Sequence, residues 1–272
     1  MTAVARALSR ATQTLSATSD TPRLDAELLM AHALGIERDS LLLSRQDQMV
    51  PAMYPALVER RQTGEPVAYI TGKRAFWNIE LEVGPGALIP RPDSETLMVA
   101  AIEHFAGTPG PRRILDLGSG PGTLLLAALD QWPEASGLGV DSSEAALGYA
   151  VANARRLGLS NRAHFRRGNW AARISEAFDL VLINPPYVAE DAALAPDVAE
   201  HEPAEALFAG SDGLDDYRRL APDIARLIAP GGLAAVEIGH DQAEAVAGLL
   251  AAQGLEPRLA RDLAGRPRAM LI

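Results

Sequence analysis

Along the N-terminal part of the chain, apolar residues recur at helical spacing, and the pattern then switches to alternation. Leu24, Leu28, Ala31 and Leu34 form a stripe three to four residues apart, with Leu29 and Met30 beside it. Thr21-Pro22 supplies an N-cap and a proline at the first helical position, and Gly35 supplies the stop. A second helix is expected from about Met53 to Gln62, with Met53, Tyr54, Leu57 and Val58 as its apolar side and Gly64 closing it. Trp77, Ile79, Leu81 and Val83 then alternate with Asn78, Glu80 and Glu82, the period of a strand with one buried face. Gly84-Pro85-Gly86 marks a turn, Ala87-Leu88-Ile89 a returning strand, and Pro90 and Pro92 a break. From residue 113 onward, strands alternate with helices. The strands are 114–117, 137–140, 163–167, 178–183 and 233–238; the helices include 123–129 and 144–157. Arg261 to Arg266 reads as a turn between two final strands.

This pattern divides the chain into a helical domain over 1–71, a β-hairpin linker over 72–92 and an α/β domain over 93–272. Strand–helix alternation predicts a parallel sheet covered on both faces. Ligands of such sheets sit at the carboxyl ends of the strands.

Composition narrows the classes. Of 272 residues, 25 are Lys or Arg and 35 are Asp or Glu, a net charge of −10, which disfavours direct nucleic-acid binding. The chain has no cysteine, so disulfides, thiolate metal sites and cysteine nucleophiles are excluded together. The five histidines lack ligand spacing, and no metal is expected. Arg6 and Arg10 interrupt the first residues, and no apolar run is long enough to span a bilayer. A cytoplasmic protein without membrane contact is expected.

Two segments carry candidate chemistry. Asp116-Leu117-Gly118-Ser119-Gly120-Pro121-Gly122 leads from the first α/β strand into a helix, and its glycines let the backbone approach a ligand closely. The dinucleotide fingerprint would need glycine where Thr123 stands, so a diphosphate site is not required. Asp141 ends the next strand, 19 residues after Gly122, where a carboxylate accepts from the hydroxyls of a ribose. Adenosyl-binding methyltransferases combine these parts, with an acidic residue before the loop, here Asp116.

The second segment, Asn184-Pro185-Pro186-Tyr187, follows an apolar strand directly. An amide or aromatic-amine nitrogen is a poor nucleophile because its lone pair is delocalised. Fixed acceptors such as the Asn184 side-chain oxygen and the Pro185 carbonyl take both of its hydrogens and bias it toward tetrahedral geometry. Tyr187 packs on the plane of the target group. The electrophile matching this arrangement is the sulfonium methyl of S-adenosyl-L-methionine, and alignment supplies most of the acceleration.

Across nearly its whole length the chain resembles the protein-(glutamine-N5) methyltransferases that modify peptide chain release factors. The resemblance rests on Asp25 to Leu29, Gly64-Glu65-Pro66-Val67-Ala68-Tyr69-Ile70-Thr71-Gly72, Leu88-Ile89-Pro90-Arg91-Pro92-Asp93-Ser94-Glu95, Glu202-Pro203, Asp212-Gly213-Leu214, Val236-Glu237-Ile238-Gly239 and Gln242. It implies a Rossmann-like class I methyltransferase domain behind a small helical substrate-recognition domain. Its implied substrate is the glutamine of the Gly-Gly-Gln loop of a release factor, so that the enzyme modulates translation termination. Gly118, Ser119, Gly120, Pro121, Gly122, Asp141, Asn169, Trp170 and Asn184 would hold the co-substrate; Asn184, Pro185, Pro186 and Tyr187 would hold the glutamine. Asn169 stands where many members carry Asp, which implies altered affinity. Arg91 and Glu95 either support the site or form a surface ion pair. Glu190, Asp191, Asp197, Glu200 and Glu202 read as a solvated loop. The alternatives are glutamine methylation of a ribosomal protein, methylation of an exocyclic base amine in DNA or RNA, which would need base extrusion and a basic groove, and a non-catalytic protein that binds the cofactor and docks on release factors.

Overall fold

The computed structural model describes residues 2–43 and 49–272, which fall into two units: Met1–Lys73 with Leu194–His201, and Arg74–Ala193 with Glu202–Ile272.

Helices Ala3–Leu15, Pro22–Leu34, Arg38–Leu43, Tyr54–Gln62 and Val67–Thr71 build the first unit. Pro22 opens its helix and Gly35 ends it in the left-handed conformation, with φ 66°. The buried stripe is displaced from the expected one. Ala26, Leu29, Met30 and Ala31 enter the core with Val4, Leu8, Leu15, Tyr54 and Leu57, whereas Leu24 is exposed. The displacement follows from Asp25 and Glu27, which are buried beside those residues because each has an arginine. Arg61 Nε donates to Asp25 at 2.7 Å, and Arg38 donates to Glu27 at 2.7 Å. Apolar spacing alone could not anticipate two satisfied carboxylates on the inner face. Met53, expected on the apolar side of its helix, is exposed.

The second unit begins with a hairpin of β1 (Lys73–Phe76) and β2 (Ile79–Glu82). Ile79, Leu81 and Val83 are buried, as their alternation predicts. The turn, however, is Trp77-Asn78, with Trp77 at φ 52° and its N–H donating to Glu95. Ala87-Leu88-Ile89 therefore forms no second strand; the Ile89 N–H is taken by the Glu202 carboxylate at 2.9 Å.

Seven strands follow: β3 (Arg113–Leu117), β4 (Ser136–Asp141), β5 (Ala163–Arg167), β6 (Phe178–Ile183), β7 (Ile228–Glu237), β8 (Arg258–Arg261) and β9 (Pro267–Leu271). Their order is β5-β4-β3-β6-β7-β9-β8. The first five are parallel, and β9 runs antiparallel to both of its neighbours. Leu115, Leu117, Val181, Ile183, Ala234 and Val236 pack with helices Asp215–Leu227 and Ala243–Ala251 on one face. The alternate residues Ile114, Leu180, Leu182, Leu233 and Ala235 are buried too, so both faces are covered. The chain runs β3 to β4 to β5 toward one edge and then returns to place β6 on the other side of β3. The carboxyl ends of β3 and β6 are thus the switch point of the sheet.

Candidate active site

Both candidate segments leave the sheet at that point. β3 runs into the glycine loop and β6 into Asn184, and a cavity of about 480 Å³ lies between them. Its lining includes Gly118, Ser119, Gly120, Pro121, Asp141, Asn169, Trp170, Asn184 and Pro186. Gly122, Pro185 and Tyr187 are not among the residues that line it.

The loop is held by its neighbours. Gly118 and Ser119 donate to the Val140 carbonyl, at 2.8 and 3.1 Å. Gly118 has φ +74°, and a Cβ there would meet the Trp170 ring at 3.1 Å. Close approach of an indole, as well as the turn itself, requires the glycine. Trp170 is in the left-handed region, at φ 49°, which costs a bulky residue energy and marks a constrained position. Its Nε1–H donates to Asp216 at 3.1 Å, which fixes the ring against the loop.

Three carboxyl groups surround the cavity differently. Asp141 accepts from the Gly120 N–H at 2.7 Å and the Ser143 N–H at 2.8 Å, one on each oxygen, and each oxygen retains a lone pair for a ligand. Asp116 is buried; one oxygen accepts from the Leu125 N–H at 3.0 Å and the other has no partner. Burial first, and the charge of Asp141 in addition, raise its pKa from 3.8 to about 7, against the opposing Leu125 hydrogen bond. The Ser119 hydroxyl is likewise buried and unpartnered. Two orphaned polar atoms on cavity-lining residues suit a ligand with donor groups. Glu202, expected on a solvated loop, is instead buried, taken up by Ile89 and by Arg91, which lines the cavity. Arg91 and Glu95 do not pair with each other; Glu95 holds the hairpin turn.

The Asn184 Nδ2–H donates to Ser94 Oγ at 3.1 Å, and among the described residues nothing donates to its Oδ1 or to the Pro185 carbonyl. Two acceptors therefore remain at the end of β6. The Tyr187 carbonyl is tied to the Gln242 side chain at 2.9 Å, and its hydroxyl donates to Glu237 at 3.4 Å. Burial pushes the Tyr187 phenol well above its ordinary pKa, so it remains a donor. Close packing leaves no room at Gly213, where a Cβ would lie 2.3 Å from the Tyr187 carbonyl.

Some supports were not found by reasoning from residue type. Asn153 is fully buried, accepts from the Glu82 N–H and donates to the Glu82 and Pro121 carbonyls, bracing the loop against β2. Its place among Ala146, Ala150 and Ala154 on one helical face was the available signal. Ser94, Glu237 and Gln242 appeared only as parts of the family signatures, and Asp216 carried no signal.

A family model described as the PrmC N-terminal domain matches residues 6–72, and one described as a methyltransferase small domain matches residues 94–206. A release factor glutamine methyltransferase of Rhodospirillum rubrum is 47% identical over 256 residues, which are 92% of this chain and 78% of that protein. One of Caulobacter vibrioides is 41% identical over 263 residues, 93% of this chain and 89% of that protein. The chain belongs to the release factor glutamine methyltransferase family. It is a methyltransferase, and its fold is the class I methyltransferase fold that strand–helix alternation and the resemblance predict. The solved structure of a methyltransferase from Pyrococcus furiosus shares that fold, with a TM-score of 0.54 at 14% identity, over 80% of this chain and 95% of that one. In this family member, no group of His, Asp and Glu among the described residues is placed to hold a metal ion, and no described helix is long and apolar enough to cross a membrane.

Proposed function

We propose that this enzyme transfers a methyl group from S-adenosyl-L-methionine to the side-chain amide nitrogen of the glutamine in the Gly-Gly-Gln loop of peptide chain release factors, and so modulates translation termination in the cytoplasm. The observation that carries the reading is the pair Asn184 Oδ1 and Pro185 carbonyl, to which nothing donates among the described residues, with Asn184 lining the same cavity as the glycine loop. When bound, the co-substrate supplies an electrophilic methyl with a neutral thioether as leaving group.

The residues fit that ligand. Asp141 has lone pairs for ribose hydroxyls, Asp116 Oδ1 and Ser119 Oγ are unpartnered, and the Trp170 ring and Asn169 form a wall suited to a base. Asn184 and Pro185 accept the two hydrogens of the glutamine amide and hold its lone pair toward the methyl. Nitrogen gains the carbon as the carbon–sulfur bond breaks, and the surplus proton leaves the alkylated nitrogen for water. No general base is required beforehand. Pro185 and Pro186 stiffen the chain around the acceptors, Tyr187 is tied beside them to Glu237 and Gln242, and the helical domain expected over residues 1–71 recognises the protein substrate.

Incubation with labelled S-adenosyl-L-methionine and either a release factor or DNA tests the reading. Label on the factor is expected; label on DNA, or cofactor binding with no transfer, would contradict it.

A further inference from the structure

The backbone from Asn184 to Tyr187 cannot be held in the ordinary way. Pro185 and Pro186 have no N–H, so the chain after β6 loses two donors in succession. The functional reading above also needs the Pro185 carbonyl left open for the substrate. Anchoring falls on the Asn184 side chain, which donates to Ser94, and on the Tyr187 carbonyl.

Gln242 takes that carbonyl. It stands just before the helix Ala243–Ala251, and its side chain makes no capping bond there. Instead Nε2 donates to the Tyr187 carbonyl at 2.9 Å and to the Gly213 carbonyl at 3.2 Å, while Oε1 accepts from the Gly239 N–H at 3.0 Å. Carbonyls only accept and a backbone N–H only donates, so these partners fix which end of the carboxamide faces which. One side chain thus joins three segments: the turn after β6, the turn before the helix Asp215–Leu227 and the chain leaving β7. The socket is closely fitted. A Cβ on Gly213 would lie 2.8 Å from Nε2, and one on Gly239 would lie 2.7 Å from Oε1. Beyond Tyr187 the chain is tied again, by the Val188 N–H to the Leu207 carbonyl at 2.9 Å.

We propose that Gln242 is a positioning residue for the methyl transfer: by holding the Tyr187 carbonyl it fixes the proline turn, and with it the Asn184 oxygen and the Pro185 carbonyl that receive the hydrogens of the substrate nitrogen. This rests on the functional reading above in requiring a nucleophile that bears two N–H bonds.

Steady-state kinetics of the full chain test it, with each variant expressed as a ratio to wild type at the same pH. Gln242→Glu sets a carboxylate against two carbonyls. Near pH 8 its kcat should be at least about tenfold lower, the effect of losing both donors. Its KM for the protein substrate and its affinity for S-adenosylhomocysteine should stay within about threefold of wild type. Burial against two carbonyls raises the pKa of a carboxyl group placed there, so it takes up a proton as the pH falls toward about 5. The protonated acid donates to one of the two carbonyls, and the kcat ratio should climb; a packing defect would not recover in acid. Gln242→Met, which keeps the length and removes the donors, should lower kcat at every pH with cofactor affinity kept, and it decides alone if Gln242→Glu fails to fold. Unchanged kcat in either variant would overturn the proposal. So would cofactor affinity falling in step with kcat, or a ratio for a folded Gln242→Glu that does not rise in acid. Should the wild type methylate a nucleic-acid amine instead of a release factor, the functional reading fails; the same variants measured on that amine still confirm or refute the positioning.

Discussion

Asn184 and Asp141 lie at the ends of different strands, and single substitutions should separate the roles proposed for them. Asn184 offers an oxygen to which nothing donates among the described residues. Asn184→Ala should lower turnover on the order of 100-fold, the usual cost of removing one fixed dipole from a reacting centre, with cofactor affinity nearly unchanged. Asp141 holds the Gly120 and Ser143 amides and faces the cavity. Asp141→Ala should mainly weaken cofactor binding, measured by calorimetry with S-adenosylhomocysteine. Normal turnover in the first variant, or normal affinity in the second, would remove the assigned role. Both residues were legible in the sequence because strand ends and turn chemistry announce themselves locally. Ser94 and Glu237 were not, since their contacts are with residues 90 and 50 positions away.

At the scale of elements, the glycine loop depends on the indole pressed against it. Gly118→Ala would add a methyl 3.1 Å from Trp170 at a backbone angle that alanine avoids. Cofactor affinity should fall at least tenfold, and tryptophan fluorescence should change as Trp170 shifts; unchanged affinity would show that the close approach is not needed. The central strands were legible to within a few residues because each is a short apolar run bounded by turns. The hairpin was not, because its actual turn contains Trp77 in the left-handed region, held by Glu95 from the next helix. The stripe of the helix Pro22–Leu34 was misplaced for a related reason: Asp25 and Glu27 point inward to arginines distant in sequence. Each failure occurs where a tertiary partner pays for a locally unfavourable choice.

Across the molecule, two buried carboxyl groups beside the site make stability depend on pH. Burial raises Asp116 and Glu237 to about 7 from ordinary values of 3.8 and 4.5. Between about pH 4 and 7 the folded state retains protons that the unfolded chain has released, so stability falls as pH rises through that window. Without ligand, the melting temperature should drop from pH 5 to pH 8, and Asp116→Asn should flatten the drop; an unchanged slope would show that Asp116 does not titrate as described. The net charge of −10 favours a protein carboxamide over a nucleic-acid amine, whereas the acceptor pair at the sheet's switch point suits either. The most direct test of that choice is tandem mass spectrometry of a release factor after incubation with the enzyme and S-adenosyl-L-methionine. One methyl group on the glutamine of the Gly-Gly-Gln loop, absent when that glutamine is alanine, is the predicted result; a methyl on any other residue, or none, would contradict it.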